Sequence, residues 1–147
     1  TDHERALRRL VYQSAQLFIE EPEQNLYPES QRLVIMSIVR SLNQALANGS
    51  EQSMAVITSH SPYVLSVVNV LLAAARVAHE GLDQDVIDKA CVLPASSISG
   101  YYIDEKGYFQ NILDAEVPML SGNDLDGVSD WVEESISKLN EKLYPEI

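Results

Sequence analysis

Leu17-Phe18-Ile19-Glu20-Glu21-Pro22-Glu23 decides how this chain is read: three apolar residues run without interruption into two adjacent carboxylates, and a proline ends the run. A short continuous apolar run predicts a strand buried on both faces, and its abrupt polar end predicts a strand that emerges at a polar site. Neighbouring carboxylates in such a place repel each other unless a cation or a proton relieves them, and a divalent ion is the natural partner.

Working outward from that strand, Asn25 to Pro28 reads as a turn, and Pro28 with Glu29 suits the first turn of a helix. Ile35, Ile38, Val39, Leu42 and Leu46 supply its buried stripe, and the loop from Asn48 to Ser53 ends it. Met54 to Thr58 is a second apolar run, closing in Ser59, His60, Ser61 and Pro62. Strand, crossover helix and strand make a βαβ unit, so the strands are expected to be parallel, with both polar ends on one edge. Ligand sites of such sheets lie at that edge. Glu20, Glu21 and His60 are therefore expected to converge. Nucleotide hydrolysis needs one acid to hold the water shell of magnesium and another to orient the attacking water, duties that Glu20 and Glu21 could divide. The histidine adds a donor for the terminal phosphate.

Elsewhere the periodicity predicts a short amphipathic helix from Glu4 to Gln13 and a buried helix from Tyr63 to Ala78. The latter stretch is interrupted by Ser66, Asn69 and Arg76 and reads as too short to span a membrane. Asp83 to Cys91 reads as helical. Ile98 to Ile103 and Tyr108 to Leu113 flank the turn Asp104-Glu105-Lys106-Gly107 as a hairpin. Asp130 with Glu133 caps a last helix whose Val132, Ile136, Leu139 and Leu143 share a face. No repeat or linker divides the chain, so residues 1–147 read as a single domain.

A chain of 147 residues can bury a real core. Its 22 acidic and 10 basic side chains give a formal charge of −12, so the averaged surface repels phosphate backbones and anionic lipid. Arg5, Arg8 and Arg9 read as an exposed helix face. Met36, Met54 and Trp131 read as packing residues, and His3, His79 and Cys91 have no partners at metal-ligand spacing. The lone cysteine cannot form an internal disulfide and no secretory leader is visible, so a cytoplasmic protein is expected.

The motifs Leu17-Phe18-Ile19-Glu20-Glu21-Pro22-Glu23-Gln24-Asn25-Leu26-Tyr27-Pro28 and Ile57-Thr58-Ser59-His60-Ser61-Pro62 resemble, in the same order, those of ABC-type ATPases related to the OLD, RecF and SMC-like proteins. The resemblance is strong from Leu17 to Leu65; Ser99-Gly100-Tyr101-Tyr102 with a later acidic helix extends it less specifically. It implies that Glu20 is the Walker B residue supporting magnesium through water, that Glu21 is the catalytic base, and that His60 is the switch histidine. Ser59 and Asn25 are implied as nucleotide-contacting residues. Asn25-Leu26-Tyr27-Pro28 matches the D-loop, which in the family crosses a head-to-tail dimer interface, although Tyr27 stands where histidine is common. Transport subunits usually have aspartate before the catalytic glutamate and threonine after the proline; Glu20 and Glu23 favour a soluble, non-transport ATPase.

The fold class implied is α/β: a partial P-loop NTPase sheet of the ABC type with parallel strands and flanking helices, plus a C-terminal β-hairpin and helix. No GxxxxGK[ST] sequence occurs in these residues, so the loop that cradles phosphates is absent from them. The expectation is a C-terminal lobe lacking its phosphate-loop lobe, inactive alone. ATP and Mg2+ would be bound only in the full-length protein, not tightly by this segment. Expected partners are the missing N-terminal lobe and a second copy through the ATPase heads, with DNA only for the full-length protein and no membrane. The missing lobe also predicts exposed apolar surface and self-association. Two other readings compete: a non-catalytic interaction module retaining the fold, and a nuclease using Glu20, Glu21 and Glu23 directly on divalent ions.

Overall fold

The computed structural model describes residues 16–50, 52–114, 116–122 and 135–136. The helix expected over Glu4–Gln13 and nearly all of the one expected after Asp130 lie outside them.

Strand β1 (Gln16–Glu20) is followed by helix α1 (Pro28–Ala47), strand β2 (Met54–Thr58) and helix α2 (Pro62–His79). The strands pair in parallel, Gln16 opposite Met54 and Glu20 opposite Thr58, as a strand-helix-strand crossover requires. Proline opens both helices, where a missing amide costs nothing. Helix α1 ends on Gly49, at φ +90, and the Ser50 amide reaches back to the Ala45 carbonyl at 3.0 Å. A residue with a Cβ would strain that left-handed position.

The helices pack on each other and enclose the core. Ile35 of α1 and Leu71 and Leu72 of α2 are each 1% exposed, and Val39, Leu71, Cys91 and Leu93 form one buried cluster ringed by Met36, Val68, Ile87 and Ile98. Helix α2 is 18 residues long, which with its composition just reaches the limit for crossing a bilayer; the expectation that this stretch is too short is corrected to that extent. Val64, Leu71, Leu72 and Ala74 along it are nevertheless buried inside the protein.

Two further expectations change. Asp83–Cys91 is not a regular helix: only Lys89–Cys91 turns, as a single 3₁₀ turn. Side chains take over the backbone here. The Gln84 amide donates to the Ile87 carbonyl and accepts the Ile87 N–H, both at 2.8 Å, and Asp88 Oδ1 accepts the Ala90 N–H at 2.9 Å. Such local bonds compete with a helical ladder. The strands, moreover, are not buried on both faces. The pleat puts Phe18, Met54 and Val56 on one face, and they remain 74%, 45% and 40% exposed. Among the described residues, this apolar face is only partly covered.

Beyond α2 the chain is largely irregular until the hairpin of β3 (Tyr101–Ile103) and β4 (Phe109–Asn111), which pair antiparallel as expected. Asp104 shapes the turn by accepting the amides of Lys106 and Tyr108, each at 2.9 Å. Two asparagines fasten this half to the helices. Asn43 of α1 donates to the carbonyls of Ala90 and Val92, and Asn69 of α2 both donates to and accepts from the backbone of Leu120. A Cβ at Gly100 would lie 2.4 Å from Leu120 Cδ2, so that the Leu120 side chain would have to shift. The described residues thus form a mixed α/β structure with a small parallel sheet and a separate hairpin.

Candidate functional site

Parallel pairing delivers the ends of β1 and β2 to one rim. The ladder continues one residue past the strand: the Glu21 amide donates to the Thr58 carbonyl at 3.0 Å and lies 3.3 Å from the Thr58 hydroxyl. Glu21 then turns sharply, at φ 43, a left-handed conformation that costs a non-glycine residue about 1–2 kcal/mol. Its carbonyl accepts the Gln24 amide, the Glu23 carbonyl accepts the Leu26 amide, and Asn25 takes a second left-handed position at φ 61. Asparagine tolerates that conformation well; glutamate does not, and such outliers persist only where their surroundings enforce them.

The turn carries the Glu21 carboxylate to the neighbouring loop, where Oε1 lies 3.0 Å from His60 Nε2. The imidazole is 88% exposed and the carboxylate side chain 29%. This brings an acid and an imidazole within 3.0 Å of each other at a solvent-facing edge.

The other expected residues are placed less uniformly. Glu20 is exposed at the end of β1, opposite Thr58, and its side chain makes no polar contact with another described residue. Asn25 is exposed in the following turn, also without such a contact. Ser59 is turned toward Glu23: its hydroxyl donates to Glu23 Oε1 at 2.5 Å and accepts the Ser61 amide at 3.0 Å. The structure therefore brings Glu21 to His60 and bonds Ser59 to Glu23, while Glu20 and Asn25 are exposed and have no side-chain partner among the described residues. Among the described residues, no three or more His, Cys, Asp or Glu side chains are grouped to hold a metal ion. A cation at the rim would need ligand oxygens and water besides one carboxylate, as magnesium commonly does.

Glu23 is the residue whose part the sequence does not reveal. It is 6% exposed, and its Oε1 also accepts the His60 amide at 3.2 Å. Behind it the hydrogen bonds continue: Ser61 caps α2 by accepting the Tyr63 amide and donates to Gln31 Oε1 at 2.6 Å, while Gln31 Nε2 donates to the Leu26 carbonyl. The available signal is slight, a carboxylate just past a proline and opposite a Ser-His pair. A shallow concavity lined by Ala78, Leu82, Gln84, Lys89 and Val92 lies at the far end of α2 and contains none of these residues. Comparison of the chain with protein-family models, with curated proteins and with solved structures found no match in any of the three.

Proposed function

We propose that this chain is the Walker B, D-loop and H-loop portion of an ATP-binding and hydrolysing ABC-type ATPase of the OLD, RecF and SMC-like group. The observation that carries the reading is the contact between Glu21, held in a left-handed turn, and His60 at the shared end of two parallel strands.

The donor chemistry at the rim is of the kind a magnesium nucleotide would use. Glu20 offers exposed carboxylate oxygens of the hard kind that magnesium prefers, and would hold the ion through water. When bound, the magnesium nucleotide supplies the electrophilic terminal phosphate and neutralises charge as the bond breaks. With nucleotide bound, Glu21 would orient the attacking water and accept its proton, and His60 would donate toward the terminal phosphate. Asn25, exposed in the turn after β1, would face a second head, and Ser59, bonded to Glu23, would sit beside the nucleotide.

Turnover requires a phosphate-binding loop from another lobe, because these residues contain none. The open sheet supports such a lobe: parallel strands normally have both faces covered, yet Phe18 is 74% exposed. The reading extends to a cytoplasmic protein that dimerises through its ATPase heads, with DNA contact only by the whole assembly. Intact protein should hydrolyse ATP in the presence of magnesium, and Glu21→Gln should keep nucleotide while turnover falls by about 10²–10⁴-fold. Unchanged turnover would remove Glu21 from the role of base; failure to bind ATP would remove the reading altogether.

A further inference from the structure

Glu23 is a buried carboxylate among the described residues, and the proposed reaction gives it no task. Removing a charge from water is costly unless hydrogen bonds hold it. Here they concentrate on one oxygen: Oε1 takes the Ser59 hydroxyl and the His60 amide, whereas Oε2 is buried without a hydrogen-bond partner among the described residues. A carboxylate that served only to solvate its turn would face water, as Glu20 does.

The sequence separations show what these bonds constrain. Glu23 belongs to the loop between β1 and α1, while its donors belong to the loop between β2 and α2, 36 and 37 residues away. They fix the distance between two loops rather than the shape of either. The amide that Glu23 holds is that of His60, whose imidazole reaches Glu21. The two loops thus meet at an exposed acid-imidazole contact and at the part-buried hydrogen bonds to Glu23, which compete less with water.

We propose that Glu23 is a positioning residue, a buried clasp that holds the β2–α2 loop against the β1–α1 loop and so keeps His60 within hydrogen-bonding reach of Glu21. Its effect on turnover rests on the catalytic reading of that pair; the clasp itself is a matter of loop geometry. Side-chain chemistry separates reach from charge. Glutamine keeps an acceptor oxygen at the Oε1 position without the charge, whereas aspartate keeps the charge and falls one methylene short.

The test compares intact protein carrying Glu23→Gln, Glu23→Asp or Glu23→Ala with the unaltered protein, reading hydrogen exchange of the His60 amide, ATP affinity and kcat. Glu23→Asp and Glu23→Ala should speed His60 exchange by about tenfold or more, and Glu23→Gln should restore most of the protection. The same two variants should lose about 10- to 100-fold in kcat with ATP affinity changed by less than about threefold, since misplacement by an ångström is enough for such a loss. Unchanged His60 exchange in Glu23→Asp and Glu23→Ala would overturn the clasp. So would a wild-type aspartate variant beside a defective glutamine variant, because charge rather than reach would then matter. If Glu23→Ala does not fold, the Gln and Asp pair carries the comparison. If the unaltered protein hydrolyses no ATP, the ATPase reading fails, and His60 exchange still decides the clasp.

Discussion

At Glu21 the backbone and the proposed chemistry pull against each other. Its left-handed φ of 43 is strained for a residue with a side chain, and the strain aims the carboxylate at His60. Glycine would relieve that conformation at some cost in chain entropy, so Glu21→Gly should leave stability unchanged or raise it by up to about 1 kcal/mol while abolishing turnover. Chemical denaturation of the variant checks this, and a loss well beyond that size would mean that the turn is not strained. The sequence shows the acids and the histidine because polar residues interrupt apolar runs at strand ends. It does not show the turn, since nothing in Glu-Glu-Pro announces a positive φ on glutamate. Nor does it show that Glu23 is buried, because that depends on donors 36 and 37 residues away.

Among the elements, β1, α1, β2 and α2 were legible because apolar spacing and flanking prolines agree with each other. Asp83–Cys91 was not, because Gln84 and Asp88 bond to nearby backbone and displace the helical ladder. The packed helix pair should be sensitive at its centre: Leu71→Ala should cost about 2–5 kcal/mol in denaturant unfolding, and a smaller loss would mean that the helices can close over the gap. The hairpin turn has its own pH response. The Asp104 carboxyl is held below the usual aspartate range, first by the Tyr108 amide, then by the Gln110 side chain and the amides of Lys106 and Gly107. A depressed folded value means that this stabilisation is complete above the unfolded aspartate range and is lost as pH falls through the folded value. Acid titration should therefore release the Tyr108 amide to exchange, and Asp104→Asn should remove the pH dependence; an equal response in both would sink the assignment.

For the molecule as a whole, the exposed apolar face of the sheet bears on self-association. Phe18, Met54 and Val56 present apolar surface on parallel strands, a pattern that calls for a covering layer. The 147-residue segment should associate with rising concentration, and Phe18→Ser should weaken that association. Light scattering that reports the same monomer for both at high concentration would count against it. The asparagines that fasten the irregular half carry a different consequence, one of chemical ageing. Asn43 presents its amide hydrogens to two carbonyls, and Asn69 matches both polar groups of Leu120. Deamidation at either position would replace a donor with a charged acceptor facing carbonyl oxygen. Attraction would become repulsion at the seam, and aged protein would loosen there with its hydrophobic core chemically untouched.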